Sequence, residues 1–332
     1  MRALITGGAG FIGSHLAEAL LAAGHHVCVI DDLSTGSIDN LSACRANDRF
    51  TYHIDSIFNR GLLAELVDCA EVVFHLAAAV GVRRIIEFPV QTITTNVRGS
   101  ELVLEMASKK LKRVVITSTS EVYGKADKAP FKETDDLVLG STYNSRWSYA
   151  ASKAIDEFLA LAYFRERRLP VTILRLFNTV GPRQTGHYGM VLPNFVRQAL
   201  HGEELQVFGT GEQSRCFCHV SDIVSAILAT PNCERTHGEI LNLGSTEEVT
   251  ISELARRVIK LAGSSRGIRH VPYDEAYGKG FEDMHRRVPD VSKARAWLGF
   301  APRYSLDEII EDVIRFHRQA NLSELAASTA GR

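Results

Sequence analysis

The chain has 332 residues, of which 45% are hydrophobic and 23% are charged, and its formal net charge is −1. This composition is typical of a globular protein with a sizeable core, and the length exceeds that of one average domain. Basic residues occur in scattered pairs and not in a stripe, and no apolar run reaches the ~18 residues of a transmembrane helix, so we expect neither a nucleic-acid nor a membrane partner.

The first element is a short apolar strand that runs into closely spaced glycines. Residues 2–6 predict the strand, Gly7, Gly10 and Gly13 follow, and an apolar helical pattern covers 12–23. A strand, a glycine turn and a helix N-terminus in this order present backbone N–H groups to a pyrophosphate. The first glycine permits the tight turn, the second lets the backbone approach the phosphates, and the third lets the helix pack on the strand. The pattern predicts a dinucleotide site.

An acidic residue ends the second predicted strand, which covers 26–31. Asp31 follows the third glycine of the turn by 18 residues. A carboxylate at this distance accepts hydrogen bonds from a ribose diol and repels a 2′-phosphate, which favours NAD over NADP. The alternative, a solvated acid at a strand end, is the weaker interpretation because the glycine turn precedes it.

Strand and helix patterns continue to alternate through the first half of the chain. The sequence predicts further strands at 50–54, 71–75, 113–118 and 171–176, and helices at 59–67, 90–109 and 147–167. Such alternation is typical of an α/β Rossmann fold, a doubly wound parallel sheet with helices on both faces. Ligands bind beyond the carboxyl ends of the strands in such a sheet, so we expect the chemistry there.

The alternation weakens after about residue 180, where prolines and glycines mark a loop. Later elements are predicted near 191–201, 250–262, 292–298 and 305–318 (helices) and near 205–208, 216–219 and 268–272 (strands). We therefore expect a Rossmann domain over 1–180, with later strand contributions from about 205–245, and a smaller α/β region over 181–320. The small polar residues of 321–332 predict a flexible tail.

The cysteines and the start of the chain bear on metals and location. The six cysteines lie mostly within apolar patterns and lack the spacing of a zinc site, so we expect buried thiols and no metal site. The chain begins directly with its first predicted strand, so no signal peptide is expected. These features favour a cytoplasmic protein.

A tyrosine and a lysine lie on one face of the helix predicted over 147–167. Tyr149 and Lys153 are four residues apart, and the strand over 113–118 ends directly before Thr119. A phenol is a poor base at its usual pKa of about 10, and lowering that pKa to about 7 takes roughly 4 kcal/mol. One cation at ~6 Å supplies about 3 kcal/mol at an effective dielectric of about 20. We therefore expect the Lys153 ammonium, with the positive ring of an oxidised nicotinamide, to make Tyr149 a base; the alternative is a surface pair.

Together these motifs resemble those of the extended short-chain dehydrogenase/reductase family, in its group of nucleotide-sugar epimerases, dehydratases and decarboxylases. Further landmarks of the family are His75-Leu76-Ala77-Ala78, Asn96, Leu176-Phe177-Asn178 and Arg215-Cys216-Phe217. The resemblance covers residues 1 to about 318. It implies that the first domain binds NAD, that the later region mainly binds a UDP-linked nucleotide sugar, and that the protein is a homodimer formed through a four-helix bundle.

The resemblance also implies a role for individual residues. Those expected to bind NAD are Gly7, Gly10, Phe11, Ile12, Gly13, Asp31, Asp55, Leu76, Ala77, Ala78, Tyr149 and Lys153. Those expected to bind the nucleotide sugar are Arg83, Asn178, Val191, Leu192, Gln206, Phe208, Arg215 and Arg287. Arg215 and Arg287 are expected to meet phosphate, since a guanidinium binds two oxygens at once. Asn96 is expected to order the site.

Glu121 distinguishes among the reactions of the group. The Ser120-Glu121 pair resembles UDP-glucuronate decarboxylases of the UDP-xylose synthase type, as do Arg146-Trp147 and the run 277–283. The implied reaction oxidises C4 of UDP-glucuronate, loses CO2 from C5 and gives UDP-4-keto-pentose, UDP-xylose or both. The residues expected to carry it are Thr119, Ser120, Glu121, Tyr149, Lys153 and Arg215. Glu121, with Ser120 or an ordered water, would handle the C5 proton or orient the carboxylate.

One segment favours a different reaction. Ala79-Val80-Gly81-Val82-Arg83 stands where decarboxylases commonly have a Ser/Pro-rich segment. It resembles UDP-glucuronate 4-epimerases, in which an arginine of this kind holds the sugar acid. The alternative function is therefore a 4-epimerase of UDP-glucuronate or UDP-glucose with the same transient oxidation at C4. A third hypothesis, a non-catalytic NAD-sensing protein on the same fold, is disfavoured because Tyr149 and Lys153 are both present.

Overall fold

The computed structural model describes residues 1–126, 128–186, 189–277 and 282–330, with only the backbone described over 321–330. The strands are β1 (Arg2–Thr6), β2 (His26–Asp31), β3 (Phe50–Ile54), β4 (Val72–His75), β5 (Arg113–Thr119), β6 (Val171–Leu176), β7 (Thr179–Val180), β8 (Leu205–Phe208), β9 (Ser214–Cys216), β10 (Cys218–His219), β11 (Glu239–Leu243), β12 (Glu248–Thr250), β13 (Ile268–Val271) and β14 (Arg286–Arg287).

The helices of the described residues are α1 (Phe11–Ala22), α2 (Arg60–Cys69), α3 (Val82–Glu87), α4 (Pro89–Ser108), α5 (Ser148–Arg167), α6 (Val191–Leu200), α7 (Val220–Ala229), α8 (Ile251–Ala262), α9 (Tyr273–Tyr277), α10 (Ser292–Leu298) and α11 (Leu306–Ala330). Short 3₁₀ helices cover Ile38–Leu41, Ser120–Tyr123, Ser145–Trp147, Thr230–Asn232 and Glu234–Thr236. None of these helices combines the length and the apolar character that crossing a bilayer requires.

The main sheet is parallel, with the strand order β11-β6-β5-β4-β1-β2-β3. β1 pairs with β2 on one side and with β4 on the other, so the chain winds outward from β1 in both directions. This confirms the predicted doubly wound α/β Rossmann fold. The order reverses at β1, and a crevice opens at the carboxyl ends of the strands at such a point.

Alternate residues of the central strands serve two separate cores. Ile5 of β1 packs in a cluster with α1 and α7, whereas Leu4 packs in a cluster with α2, α4 and α5 on the other face. Since both faces of the sheet are covered, the central strands are apolar along their whole length, as the buried run Ala3-Leu4-Ile5 shows.

The C-terminal region packs α6, α8 and α11 around a third core, with β8 paired to β13 and β9 lying between β12 and β14. The single strand predicted over 216–219 is wrong: β9 pairs with β12, whereas β10 pairs with β7, so the chain changes partners at Phe217. The predicted end of the last helix is also wrong, because α11 continues through Ala330. The Ala, Leu and Glu residues after 320 have high helix propensity, which favours this extension.

Two elements that the sequence analysis did not locate, one helix and one strand, belong to the main-sheet region. α7 packs against α1, and β11 extends the sheet beyond β6. The chain therefore returns from the C-terminal region to the main sheet before leaving it again. The domain boundaries given above stay a prediction.

Candidate active site

A single large cleft contains every residue that the sequence analysis assigned to the cofactor, the substrate or catalysis. It lies at the carboxyl ends of the main-sheet strands and is closed from the other side by residues of α6, β8 and α9. Its volume is about 1480 Å³, above the roughly 300–1,000 Å³ of a site for one small ligand. The cleft has room for two molecules side by side.

The glycine turn leaves no space for side chains. Gly7 has φ +73°, and a Cβ on it would lie 2.7 Å from the backbone nitrogen of Ala77. A Cβ on Gly13 would collide with the carbonyl oxygen of Gly7 and lie 2.7 Å from the Cα of Gly8. α1 begins at Phe11 with no side-chain cap, so its first N–H groups remain available to an anion at the cleft wall.

Asp31 ties the glycine turn to the end of β2. Its Oδ2 accepts a hydrogen bond from the Ala9 N–H at 2.9 Å, and its Oδ1 accepts one from the Leu33 N–H at 2.8 Å. Burial raises the pKa of this carboxyl, against the opposing effect of those hydrogen bonds. Each oxygen retains a lone pair, so Asp31 can hold the turn and still accept from a ribose hydroxyl.

Asn96 links the segment after β4 to the helix that carries the tyrosine. Its Oδ1 accepts from the Ala79 N–H at 2.8 Å, and its Nδ2 donates to Ser152 Oγ at 3.1 Å. Ser152 Oγ in turn donates to the Tyr149 carbonyl at 2.8 Å. This buried network joins the segment after β4 to α5 beneath the cleft.

Tyr149 and Lys153 lie on α5 facing the cleft, and both are buried. Burial and the nearby charge of Glu121 raise the pKa of the Tyr149 phenol above its ordinary value, although the neighbouring Thr119 hydroxyl acts to lower it. Lys153 Nζ donates to Asp156 Oδ2 at 2.8 Å. The lowering of the Tyr149 pKa expected from Lys153 is absent from the protein by itself, because burial raises this pKa and the charges of Glu121 and Asp156 add to the rise.

Five charged side chains form what we call the acid–arginine cluster, at the end of the cleft beyond Tyr149: Glu121, Arg146, Arg215, Asp283 and Arg287. Glu121 forms a buried ion pair with Arg146 and lies 3.5 Å from Arg287. Asp283 pairs with Arg215 at 2.8 Å and lies 3.8 Å from Arg146. Three guanidinium groups thus face two carboxylates, which leaves one net positive charge in a largely buried place.

The charged groups of the cluster shift one another's pKa values. Burial acts to raise the pKa of Glu121, but Arg146 and Arg287 outweigh it and hold that pKa below its usual range. The pKa of Asp283 is lowered in the same way, chiefly by Arg215 against burial. Burial and the neighbouring Arg215 lower the pKa of Arg287 to about 10. Both carboxylates are therefore ionised at neutral pH, and Arg287 is still a cation.

Several polar atoms of the cleft lining lack a hydrogen-bond partner among the described residues. Ser120 Oγ and Arg287 Nε are buried without a hydrogen bond. Unpaired buried donors are costly, and in a cleft they mark a place where a ligand completes the bonding. Both residues lie beside Glu121, so the cluster is one place in the cleft that offers unpaired donors; other unpaired polar atoms of the cleft belong to Thr179, Gln184 and His317.

The remaining residues expected at the substrate lie along the cleft toward the C-terminal region. Asn178 Nδ2 donates to the Cys216 carbonyl at 3.0 Å, and the Phe208 ring meets Tyr277 edge-on at 5.3 Å. Val191 and Leu192 begin α6, and Gln206 lies on β8. Leu192 is completely buried in the third core, so it shapes the wall.

Arg83 and Asp55 line the cleft with their charged groups already engaged. The Arg83 side chain is 68% exposed and pairs with Glu87 one turn along α3 at 3.1 Å, apart from the acid–arginine cluster. The Asp55 carboxylate accepts from the Ser56 N–H at 2.7 Å and from Asn59 Nδ2 at 2.8 Å. Arg83, which was expected to hold the sugar acid, therefore lies outside the cluster formed by Arg146, Arg215 and Arg287.

Sequence reasoning gave no role to three charged residues of the site. Arg146 was noted only beside Trp147 as a resemblance, Asp283 only within the run 277–283, and Asp156 not at all. Charged side chains this deeply buried require partners, but burial is not visible in local sequence. Of the run 277–283, residues 278–281 lie outside the described residues.

Comparisons with known proteins agree with this geometry. A UDP-N-acetyl-alpha-D-glucosaminuronate decarboxylase of Bacillus cytotoxicus is 43% identical over 323 residues, which covers 96% of this chain and 98% of that protein. UDP-glucuronic acid decarboxylase 1 of Xenopus tropicalis is 34% identical over 96% of this chain and 72% of that protein. The crystal structure of a UDP-glucuronic acid 4-epimerase from Bacillus cereus, in complex with UDP-glucuronic acid and NAD, superposes with a TM-score of 0.87 at 30% identity, over 96% of this chain and 100% of that one.

The sequence profile of the family described as GDP-mannose 4,6 dehydratase matches residues 4–313. The match spans the glycine turn, the tyrosine and lysine of α5, and the acid–arginine cluster. It therefore includes both the main sheet and the region that closes the cleft. The chain belongs to this family of nucleotide-sugar enzymes.

Proposed function

We propose that the chain is an NAD-dependent decarboxylase of a UDP-linked hexuronate, which oxidises the sugar at C4 and releases C6 as CO2. The observation that carries the proposal is the acid–arginine cluster directly beside Tyr149 and Thr119. A hexuronate held with its C4 hydroxyl at Tyr149 carries its carboxylate on the adjacent ring carbon, C5, and the cluster offers a net positive charge with unpaired donors there. The decarboxylases among the relatives support the same reaction.

The residues present fit NAD. The turn around Gly7 and Gly13 has no space for a Cβ, the uncapped start of α1 suits a pyrophosphate, and Asp31 suits a ribose diol. When bound, NAD supplies reversible two-electron oxidation of a secondary alcohol. Gly7, Gly10, Asp31 and Lys153 would hold it.

Tyr149 and Thr119 would act on the hydroxyl at C4. In this proposal Thr119 holds the hydroxyl and Tyr149 accepts its proton as C4 becomes a ketone. Burial and the Glu121 charge raise the pKa of Tyr149, so proton transfer needs the positive ring that an oxidised nicotinamide would supply. A closed, loaded site is therefore required before the phenol can act.

Loss of CO2 follows from the chemistry of a β-keto acid. The C5–C6 bond breaks, its electron pair moves into the C4 carbonyl to form an enolate, and C6 leaves as CO2. Hydrogen bonds from Thr119 and Tyr149 stabilise the enolate oxygen. C5 then takes a proton to give the 4-keto-pentose, which is released or reduced at C4.

The ionised state of Glu121 supports a positioning task. A carboxyl whose pKa is held low by Arg146 and Arg287 is a poor proton donor at neutral pH. As an anion it holds Arg287 in place, and Arg287 is free to bind the sugar carboxylate through its unpaired Nε. Of the two tasks expected for Glu121, we propose orientation of the carboxylate.

The two candidate uronate substrates differ in the substituent at C2 of the sugar. The 43% identity to a decarboxylase of UDP-N-acetylglucosaminuronate, against 34% to a UDP-glucuronic acid decarboxylase, supports the 2-acetamido uronate as the preferred substrate. UDP-glucuronate is the second substrate to test.

A 4-epimerase is the alternative, favoured by the 79–83 segment and by the fold match to a UDP-glucuronic acid 4-epimerase. The exposed Arg83–Glu87 pair gives this alternative less support than the buried cluster gives decarboxylation. The purified protein should be incubated with NAD and, separately, with UDP-N-acetylglucosaminuronate, UDP-glucuronate and UDP-glucose, and the sugars analysed by mass spectrometry and NMR. A uronate that loses the mass of CO2 supports the proposal, whereas an unchanged mass with inverted C4 supports the epimerase.

We further propose that the protein forms a homodimer through α4 and α5, which pack against each other. Each of these helices presents large apolar side chains to solvent: Val90 is 77% exposed, Ile93 42%, Ile155 49% and Phe158 69%. Two copies of this helix pair would bury these side chains as a four-helix bundle. Light scattering should give the mass of a dimer, and Phe158→Glu should give the mass of a monomer; a monomeric unmodified protein would contradict the proposal.

A further inference from the structure

Asp156 is a fully buried acid that the proposed mechanism does not use. It lies on α5 one turn after Lys153, with its side chain 0% exposed and its Oδ2 2.8 Å from Lys153 Nζ. The Lys153 side chain is only 3% exposed. A pair this deeply buried is expensive to maintain, and well-packed apolar residues at the same positions would often be as stable. A role in the chemistry of the neighbouring site would explain why a buried charge stands here.

A second element approaches the carboxylate. Ser100 of α4 lies next to Asp156, whose pKa is raised by burial against the opposing charge of Lys153, and Ser100 Oγ lies 3.2 Å from His75 Nε2. His75 Nδ1 meets Thr6 Oγ1 at 2.7 Å, directly below the glycine turn. Burial and the nearby Lys153 charge lower the pKa of His75 to about 3, so this ring is neutral. Hydrogen bonds thus link the floor of the nucleotide end to Ser100, which lies beside Asp156.

The other charged groups around this pair are already balanced. Glu157, next along α5, forms an ion pair with Arg175 of β6 at 2.7 Å. On the cleft side, Glu121 and Arg146 face Tyr149 as an ion pair of their own. The Lys153 ammonium is therefore the cation that Asp156 directly balances, and Tyr149 lies one turn before Lys153 on the same helix face.

We propose that Asp156 is a positioning residue that holds the Lys153 ammonium in place and offsets part of its positive charge at Tyr149, thereby setting the pH at which the tyrosine can act. The inference rests on the proposed function for the role of Tyr149, but the charge balance itself concerns only groups within the protein. The geometry assigns two separable effects to one carboxylate: the hydrogen bond fixes the position of the ammonium, and the negative charge weakens its field at the phenol.

Asp156→Asn separates these effects, because the amide oxygen still accepts from Lys153 Nζ while the negative charge is lost. An anion near a phenol disfavours the phenolate, so its removal should lower the pKa of Tyr149. We expect a downward shift of about one pH unit, which is a tenfold change in the ionisation constant. The acidic limb of the kcat/KM profile should move to lower pH in the same direction.

The measurement is a pH titration of the tyrosines by NMR of protein labelled with ¹³C at Cζ, with and without saturating NAD. Among the nine tyrosines, the Tyr149 signal is assigned as the one that is missing from Tyr149→Phe. Asp222→Asn is the matched control, since Asp222 is equally buried and pairs with Arg303 at 3.1 Å outside the cleft. It should leave the Tyr149 titration unchanged, even though it also removes a buried charge.

The titration measures the ionisation of Tyr149 and does not depend on product formation. Its result is therefore independent of whether the proposed function is correct. A lowered Tyr149 pKa in Asp156→Asn supports the inference even if no uronate is decarboxylated. An unchanged or raised pKa overturns it, as does an equal shift in Asp222→Asn. If Asp156→Asn does not fold, Asp156→Ser, which admits a water beside Lys153, gives the same test, with thermal unfolding recorded for each variant.

Discussion

The nucleotide end of the cleft and its sugar end are built by different means. At the nucleotide end, backbone meets backbone: a Cβ on Gly7 would lie 2.7 Å from Ala77 N, and Asp31 accepts from two backbone N–H groups. At the sugar end, the acid–arginine cluster joins charged side chains from four separate segments. The nucleotide end requires glycines that leave no space for a side chain, whereas the sugar end requires balanced buried charges. Different substitutions should therefore impair binding at the two ends.

The phenol between the two ends should be the most sensitive position. Tyr149→Phe removes the group that accepts the C4 proton, and we expect turnover to fall by about 10³-fold. Binding of NAD, measured by calorimetry, should stay close to that of the unmodified protein because the glycine turn is unchanged. Turnover at the original rate would remove Tyr149 from the assigned role.

Adding a side chain to the glycine turn should destabilise the nucleotide end and weaken NAD binding. In Gly13→Ala the new Cβ meets backbone of Gly7 and Gly8, which cannot rotate away, and we expect a loss of about 2 kcal/mol in stability with weakened NAD binding. Gly267→Ala is the control, since a Cβ there has nothing within 4 Å. Chemical denaturation and NAD calorimetry measure both; equal behaviour of the two variants would contradict the close packing.

Removing one charge of the acid–arginine cluster should lower both the stability of the protein and the rate of CO2 release. Glu121→Gln leaves Arg146 with a weakened partner in a buried place, and we expect a loss of about 3 kcal/mol in stability. CO2 release should fall by roughly 10²-fold while NAD binding is kept. Glu248→Gln, in an exposed pair with Arg286, should change neither. An unchanged yield of CO2 from Glu121→Gln would separate Glu121 from the reaction.

Acid should act on the two ends in different pH windows. His75 has its pKa lowered to about 3, so the unfolded chain binds one more proton below about pH 6.5, and stability should fall there by up to about 1.4 kcal/mol per pH unit. The pKa values of Glu121 and Asp283 are also lowered, so their contribution is present above about pH 4.5 and is lost as the pH falls below it.

Urea unfolding at stepped pH measures this dependence. His75→Asn should flatten the curve between about pH 4.5 and 6.5, whereas Glu121→Gln should flatten it only below that window. Curves that keep the original slope in both variants would show that these groups do not carry the acid sensitivity. The two variants thus separate the contribution of His75 from that of Glu121.

The smallest effect should be on the choice of cofactor. Asp31→Asn removes the charge that repels a 2′-phosphate, and the preference for NAD over NADP should narrow by about tenfold, the size of one charge-assisted hydrogen bond. Asp32→Asn is the control, because Asp32 is exposed and accepts only from the Ser34 N–H among the hydrogen bonds described. Calorimetry with both dinucleotides checks the ratio; a preference for NADP in the unmodified protein would contradict the role of Asp31.

Much of the fold was accessible from local patterns. The strands around the glycine turn and the helix that carries Tyr149 match their predicted bounds within two residues, because apolar periodicity and glycine spacing are local properties of the chain. β11 and the split between β9 and β10 were not located, since short strands take their partners from distant segments. Likewise the pairing of Arg83 with Glu87 on α3 is visible only in the structure, and the assignment of Arg83 to the sugar acid stays a prediction.

By itself, the sequence determined which groups face the cleft: the glycines, Asp31, Thr119, Glu121, Tyr149 and Lys153. Only the tertiary structure decided their charge states. Glu121 meets Arg146 and Arg287 across 25 and 166 positions of the chain, and the spacing of Lys153 and Asp156 does not reveal that both are buried. The energy of a charge depends on its depth and on its neighbours in space, and neither is a property of local sequence.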